Sequence, residues 1–234
     1  MQFSWLNRQN NKNLIVFFAG WSFDEKPFEF LDCGEFDVLF VYDYSGKWKV
    51  ESGKLNNFQL STFNFQLDDI LSYYTYKYLI TWSMGSYVAY KMRDLFKDFD
   101  EKIAINGTPF PVDNDYGIPE KPFLLTLRHA KTGLEGKFYQ NIFDKSEEYE
   151  RYLKTPVERS IENRTTELQD LYDDIKNSEK TYEKFYDKAF VSLNDKIIPA
   201  KNQLKFWQNF GVPVEKLESG HFPYYNFNAW KDFL

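Results

Sequence analysis

Short apolar runs recur along the 234-residue chain and are separated by polar segments. Six of these runs are five or six residues long, and they cover residues 14–19, 37–42, 78–82, 102–106, 189–193 and 212–217. A short run that is mostly apolar is typical of a strand buried on both faces, as strands of a parallel sheet are. We therefore predict four buried strands from the first four runs, and two further strands from residues 189–193 and 212–217.

Helical spacing of apolar residues lies between these strands. Val88, Met92 and Leu95 fall on one face of a helix predicted over residues 85–99. A second helix is predicted around residues 203–210, between the last two strands. Because strands and helices alternate, the sequence predicts an α/β fold with a mainly parallel sheet and helices on both of its faces.

One segment, residues 111–186, breaks this alternation. It is rich in Glu, Lys, Tyr and Arg and offers no convincing strand. Its clearest helical spacing is found at Leu168, Leu171, Tyr172 and Ile175. We predict that this segment is a helical insertion that caps the carboxyl edge of the sheet, and that residues 1–110 and 187–234 form the core.

Charge and cysteine content narrow the possible functions. The formal net charge of −6 argues against non-specific binding to nucleic acid or to an anionic membrane. The single cysteine, Cys33, excludes an internal disulfide, has no second metal ligand nearby, and is interpreted as a packed thiol. No apolar run approaches the length of a membrane span or a signal peptide. We expect a cytoplasmic protein, monomeric by default, without a metal or other cofactor.

The sequence TWSMGS places Ser83 directly after a predicted strand and directly before a predicted helix. A nucleophile elbow, G-x-S-x-G, has the same strand–serine–helix context. Gly85 satisfies the second glycine position, whereas Thr81 stands where the first glycine is expected. Ser83 is therefore a candidate nucleophile, and the alternative is a serine that caps the following helix.

A serine nucleophile of this kind is followed along the chain by an acid and then by a histidine. The chain has only two histidines, and His221 follows the last predicted strand, whereas His129 lies in the insertion with no role we can assign. Asp195 comes just after the fifth predicted strand. Taken singly, His221 fits a surface or packed histidine and Asp195 fits a turn residue. Together with Ser83 they form a candidate triad.

An oxyanion hole needs two backbone N–H donors, one of them from the residue after the nucleophile. That residue is Met84. The second candidate is Trp21, which follows Gly20 at the end of the first predicted strand; the alternative is an ordinary turn between a strand and a helix. Trp21 and Trp82 also offer apolar surface to an acyl chain, although such residues are as often only packed.

Several segments together resemble one family, the BioG-type pimeloyl-[acyl-carrier protein] methyl ester esterases of biotin synthesis. They are FFAGWSFDEKPF, VYDYSG, TWSMGS, LNDKIIP and SGHFP, of which FAGW and VYDYSG are the more distinctive. The resemblance implies an α/β-hydrolase that removes the methyl group from a pimeloyl chain carried on acyl carrier protein. It also implies that Ser83 is the nucleophile, His221 the general base and then acid, and Asp195 the residue that orients the imidazole.

A carrier protein is acidic and bears a phosphate, which arginine binds with bidentate geometry. We interpret five cations of the insertion as candidates for a carrier-binding patch: Arg128, Arg151, Lys154, Arg159 and Arg164. The alternative is that they pair with the equally abundant glutamates of a solvated helical surface.

Two other functions stay open from the sequence. A generic carboxylesterase or an acyl thioesterase has the same triad, and differs in accepting small free esters or in breaking the thioester. A carrier-binding protein on a hydrolase fold, without catalysis, is favoured if Thr81 distorts the elbow at Ser83.

Overall fold

A computed structural model of the protein describes residues 1–46, 50–51, 54–55, 67–132 and 137–234. Its strands, in chain order, are β1 (Gln2–Asn7), β2 (Asn13–Phe18), β3 (Phe36–Tyr42), β4 (Val50–Glu51), β5 (Lys54–Leu55), β6 (Tyr76–Trp82), β7 (Glu101–Ile105), β8 (Lys188–Ser192) and β9 (Val214–Leu217). Its α-helices are α1 (Met84–Lys91), α2 (Glu120–His129), α3 (Lys137–Ile142), α4 (Ser146–Tyr152), α5 (Ile161–Asn177) and α6 (Ala200–Asn209).

Seven strands form one sheet in the order β1-β3-β2-β6-β7-β8-β9, and β4 pairs with β5 apart from it. β1 runs antiparallel to β3, and the other pairings in the sheet are parallel. All six predicted strands are present, with ends shifted by no more than two residues. The predicted α/β fold with a mainly parallel sheet is therefore confirmed.

The alternation of side chains along β2 explains why the apolar runs are continuous. Val16 and Phe18 point into one hydrophobic cluster, and Ile15 and Phe17 point into a second cluster on the opposite face. Successive strand residues face opposite sides, so a strand covered on both sides needs apolar residues at every position.

Strand β1 was not predicted from the sequence. It is an edge strand whose side chains are mostly half-buried, and it pairs with β3 alone. Phe3 and Trp5 pack against the first cluster and Leu6 against the second. Polar residues alternate with these apolar ones, because an edge strand keeps part of its surface in water.

The first core helix is shorter than predicted. α1 ends at Lys91, and the chain tightens into a 3-10 turn over Arg93–Phe96 instead of continuing to residue 99. Helix ends often tighten in this way because the last carbonyls gain closer partners. Phe96 is still buried in the first cluster, so the predicted apolar face is retained.

The described residues of the insertion form four α-helices, α2 to α5. Ser160 begins α5, where its hydroxyl accepts the N–H of Asn163 at 3.2 Å, as an N-cap does. Three apolar residues of α5 lie in the same cluster as strand β2: Leu168, Leu171 and Ile175. α5 therefore packs directly onto the core. Within the described ranges, no helix is long and apolar enough to cross a membrane.

Candidate active site

Ser83 occupies a sharp turn between β6 and α1. Its backbone has φ of 55° and ψ of −123°, a region that non-glycine residues rarely adopt. The turn is fixed because the Ser83 N–H donates to the Ile105 carbonyl at 3.0 Å and the Ser83 carbonyl accepts the Ser86 N–H at 3.1 Å. A strained residue held in this way is characteristic of functional sites.

The residues that flank the serine explain how the turn is accommodated. A Cβ added to Gly85 lies 2.4 Å from the Phe18 carbonyl oxygen, so only glycine lets α1 approach β2 this closely. Thr81 is fully buried, and its hydroxyl lies 3.0 Å from Ser86 Oγ and 3.2 Å from the Tyr186 hydroxyl. The Thr81 hydroxyl therefore has polar partners in the core, and the elbow forms without the first glycine.

The structure brings the three predicted triad residues into one chain of hydrogen bonds. His221 Nε2 lies 2.9 Å from Ser83 Oγ, and His221 Nδ1 lies 2.8 Å from Asp195 Oδ2. All three residues are buried, with exposed fractions of 8% or less. These are the distances over which an imidazole takes a proton from a hydroxyl while a carboxylate orients its other nitrogen.

Asp195 is held by donors on both carboxylate oxygens. Oδ1 accepts the backbone N–H groups of Ile197 and Ile198 at 2.8 and 2.9 Å. Oδ2 accepts the side-chain amide of Gln203 at 2.9 Å in addition to its contact with His221. Gln203 lies on α6 and is fully buried. These donors fix the direction of the carboxylate toward the imidazole.

The loop that carries His221 is anchored by two core side chains. The Trp82 indole N–H donates to the His221 carbonyl at 2.8 Å, and Asn106 Nδ2 donates to the same oxygen at 3.0 Å. Asn106 is fully buried, has a φ of 44°, and exchanges two further hydrogen bonds of 2.7 Å with Ser192. Trp82, predicted as a substrate contact, thus supports the loop that carries the histidine.

The two predicted oxyanion donors lie beside the elbow. Met84 is the first residue of α1, and Trp21 lies in a tight turn in which the Phe23 N–H donates to the Gly20 carbonyl at 3.3 Å. A Cβ on Gly20 lies 2.9 Å from the Trp82 ring, so glycine allows this turn to approach the elbow. In the part of the chain that the structure describes, no hydrogen bond engages the backbone N–H of Trp21 or Met84.

A cleft of about 220 Å³ opens above Ser83 between the core and the insertion. Its floor includes Ser83, His221 and both tryptophans, and its walls come from the insertion. The wall residues are largely apolar and include Ile118, Pro122, Phe123, Leu125, Phe138, Ile142 and Leu168. Such a cleft suits an apolar chain whose reactive end meets the serine.

The five cations assigned to a carrier patch are placed in different surroundings. Arg128 and Lys154 are exposed. Arg151 is also exposed, and its guanidinium lies against the rings of Phe30 and Tyr225, at 4.3 and 4.1 Å from their centroids. Arg164 is partly buried, and its Nη1 donates to the Tyr139 hydroxyl at 2.5 Å.

Arg159 requires a correction. Its side chain is only 6% exposed, and it pairs with Glu167 at 2.8 Å and with Asp43 at 3.1 Å. Because both partners are buried carboxylates, the guanidinium is not available to a ligand at the surface. Arg159 therefore does not belong to a carrier-binding surface.

Several residues that build the site were not predicted. Asn106 and Gln203 support His221 and Asp195 through core hydrogen bonds, and Lys196 lines the cleft. Glu167 of α5 is fully buried, and burial raises the pKa of its carboxyl while Arg159 acts in the opposite direction. Of these four residues, only Lys196 could have been suggested by the sequence, because it directly follows the predicted triad residue Asp195.

Two residues without an assigned role lie apart from the cleft lining. His129 is exposed at the end of α2. Cys33 is half-buried, and burial raises the pKa of its thiol to about 11. Among the described residues, no group of three or more His, Cys, Asp or Glu side chains is placed to hold a metal ion.

Known structures place this architecture among the α/β-hydrolases. The selenomethionine BioG of Haemophilus influenzae is 26% identical and superposes with a TM-score of 0.80 over 100% of this chain and 99% of that chain. An esterase from Exiguobacterium antarcticum has the same fold, with a TM-score of 0.66 at 18% identity over 94% of this chain and 88% of its own. The protein therefore has an α/β-hydrolase fold.

The family model described as pimeloyl-ACP methyl esterase BioG matches residues 1–233. The chain therefore belongs to the BioG family, and the resemblance seen in the sequence is confirmed. A Bacteroides fragilis protein named malonyl-[acyl-carrier protein] O-methyltransferase is 29% identical over 215 residues, which are 90% of this chain. The chain spans only 40% of the length of that relative.

Proposed function

We propose that the protein is a serine esterase that hydrolyses the methyl ester of pimeloyl-[acyl-carrier protein], releasing methanol and leaving the acid on its carrier. The observation that supports this most strongly is the hydrogen-bonded series Ser83–His221–Asp195 at the floor of an apolar cleft, in a member of the BioG family. Each residue has the neighbours that its proposed role requires.

The reaction begins when His221 Nε2 removes the Ser83 proton and Oγ attacks the ester carbonyl. The N–H groups of Trp21 and Met84 stabilise the developing oxyanion. His221, oriented by Asp195, then protonates the methoxy group, and methanol leaves an acyl-enzyme on Ser83. Water that is activated by the same imidazole hydrolyses this ester and restores the free hydroxyl.

Substrate selection follows from the shape of the cleft. Its volume of about 220 Å³ is below the range of about 300–1,000 Å³ that is typical for drug-sized ligands, so it suits a narrow chain. We propose that residues 111–186 act as a cap. The acyl chain passes between α2 and the core, along Trp21, while the carrier stays outside.

The carrier-binding surface is best placed around α2. Leu125 and Thr126 of this helix line the cleft, and Arg128 follows two residues later on the same helix and is exposed. Lys196, also exposed, lines the cleft from the core side. Cations on opposite sides of an entrance are well placed to attract an acidic carrier. Arg151 and Lys154 remain proposed contacts on α4 and just after it.

A comparison of the wild type with Ser83→Ala tests the reaction. Pimeloyl-carrier methyl ester is incubated with each, and the carrier is analysed by gel mobility and mass, with p-nitrophenyl butyrate as a second substrate. We expect the wild type to remove the methyl group with the thioester intact, and the variant to lose on the order of 10⁶ in kcat. Turnover of the small ester alone indicates a generic carboxylesterase, release of pimelate indicates a thioesterase, and no turnover indicates a binding protein.

The carrier surface is tested by reversing one charge. Arg128→Glu is expected to raise KM for the carrier substrate about three- to tenfold at low salt and to leave KM for p-nitrophenyl butyrate unchanged, because an exposed charge acts on encounter. Lys216→Glu, an exposed cation on β9, is the matched control. Equal effects of the two variants, or equal effects on both substrates, contradict the assignment.

A further inference from the structure

A buried carboxylate from the insertion binds two loops of the core. Glu167 on α5 has no exposed surface. Its Oε2 accepts the backbone N–H of Ser22 at 3.1 Å, and its Oε1 accepts the backbone N–H of Tyr44 at 2.9 Å. Ser22 lies in the loop after β2, and Tyr44 lies in the loop after β3. One side chain of the insertion therefore bridges two loops at the carboxyl edge of the sheet.

Arg159 neutralises this carboxylate and extends the network. Its Nη1 lies 2.8 Å from Glu167 Oε2 and donates to the Phe23 carbonyl at 3.3 Å. Its Nη2 lies 3.1 Å from Asp43 Oδ1, and Asn163 Nδ2 donates to the other oxygen of Asp43 at 2.9 Å. A buried charge persists only when it is paired and hydrogen-bonded, so this network keeps Glu167 in place.

The bridged loop is the one that carries the proposed oxyanion donor Trp21. The residue after it, Ser22, has a φ of 74°, a strained conformation that the bond from its N–H to Glu167 stabilises. On the other side, the Tyr44 hydroxyl donates to the Ala19 carbonyl at 2.7 Å, while Tyr44 itself is held by Glu167. Glu167 thus holds the residues on either side of Gly20–Trp21: it binds Ser22 directly, and it holds Ala19 through Tyr44.

A second contact from the same helix holds the Trp21 side chain. Its indole N–H donates to the carbonyl of Arg164 at 2.7 Å, in the turn of α5 that precedes Glu167. The backbone N–H of Trp21 cannot reorient freely while its ring, the Ala19 carbonyl and the Ser22 N–H are held.

We propose that Glu167 is a positioning residue for the oxyanion hole, which it orients from the insertion through Ser22 and Tyr44. This inference rests on the proposed serine esterase reaction. An oxyanion hole acts mainly in the transition state, so its misplacement lowers kcat and leaves substrate binding largely unchanged. Glutamine at this position has a single acceptor oxygen and turns an NH₂ group toward an N–H donor or toward Arg159.

The test is Glu167→Gln, assayed with p-nitrophenyl butyrate so that carrier binding plays no part. Loss of a whole oxyanion donor costs about 10²–10³ in kcat, and a displaced donor is expected to cost about 10- to 100-fold, with KM changed less than threefold. A boronic acid inhibitor, whose tetrahedral adduct with Ser83 places an oxygen in the hole, should lose affinity by the same factor as kcat/KM. If Glu167 only stabilises the fold, the inhibitor affinity and kcat/KM are not expected to fall by the same factor.

Asp174→Asn is the matched control. Asp174 lies on the same helix, accepts a hydrogen bond from the Tyr87 hydroxyl, and pairs with Lys91 at 3.6 Å, so it joins α5 to α1 instead of to the oxyanion loop. We expect this variant to lose thermal stability and to keep kcat within about twofold. Equal losses of kcat in Glu167→Gln and Asp174→Asn overturn the proposal.

Arg159→Lys tests the same positioning role if Glu167→Gln does not fold. Arg159→Lys keeps a cation beside Glu167 but loses the guanidinium fork, and we expect a three- to tenfold lower kcat with an unchanged KM. Full kcat in this variant, or in a folded Glu167→Gln, overturns the proposal while the esterase assignment stands. Absence of wild-type activity on every ester overturns both.

Discussion

The two sides of the candidate site are held by different parts of the chain. On the triad side, the side chains that support His221 and Asp195 are those of Asn106, Trp82 and Gln203, all of which belong to the core. The insertion adds one backbone contact there, from the Phe222 N–H to the Ile142 carbonyl at 3.0 Å. On the oxyanion side, the loop around Trp21 is held by α5 of the insertion. We infer that core side chains do most to align the proposed nucleophile, whereas the proposed oxyanion donor Trp21 depends on the insertion for its position.

The largest effect that would sharpen this comparison is expected on the triad side, from Asp195→Asn. The change keeps the shape of the side chain but removes the charge that orients His221 Nδ1, so we expect kcat to fall by about 10⁴. Steady-state kinetics with a small ester measures this, and unchanged thermal unfolding confirms that the fold is kept. A loss of less than tenfold would show that Asp195 is only structural.

A smaller effect is expected from Asn106→Ala, which breaks the support of the histidine loop and leaves the triad residues in place. It removes the hydrogen bonds to Ser192 and to the His221 carbonyl, and it puts alanine at a φ of 44°. We expect the free energy of unfolding to fall by roughly 2–4 kcal/mol. Urea titration measures the change. A loss below about 1 kcal/mol would indicate that Trp82 alone anchors the loop.

The smallest effect is expected at Cys33, which lies outside both sides of the site. A rise of its pKa from 9.0 to about 11 leaves only about one thiolate in a thousand at pH 8. Alkylation of the native protein should therefore be at least tenfold slower than alkylation of the urea-unfolded protein, and it should still accelerate between pH 8 and 10. Activity should survive full alkylation. A rate that levels off below pH 9 contradicts this.

The sequence was sufficient to select the three candidate triad residues, which the structure brings together, because their signals are local. Buried parallel strands are continuous apolar runs, and Ser83, Asp195 and His221 each follow such a run. The order of the three residues along the chain then supplied a second, independent constraint. The prediction was weaker at β1, where an edge strand alternates polar and apolar residues.

Trp21 and Met84 were predicted as oxyanion donors, but the contacts that hold the loop around Trp21 could not be predicted in the same way. Glu167 is one of several acidic residues on a helix, and nothing near it in sequence distinguishes a buried carboxylate from a solvated one. Its partners Ser22 and Tyr44 are 145 and 123 residues away. Arg159 was assigned to the surface for the same reason, since its burial follows from pairing with distant residues.

The packing of α5 has a consequence for evolution and for protein engineering. Among enzymes that select substrates with an inserted segment, a new specificity is often sought by exchanging that segment between relatives. Here the helix that covers the cleft also shares a hydrophobic cluster with β2 and holds the loop next to Ser83. A chimera with a foreign insertion would gain new substrate contacts, but it would lose the contacts of α5 that hold the loop around Trp21. We therefore expect selectivity and catalytic rate to be inherited together in this protein.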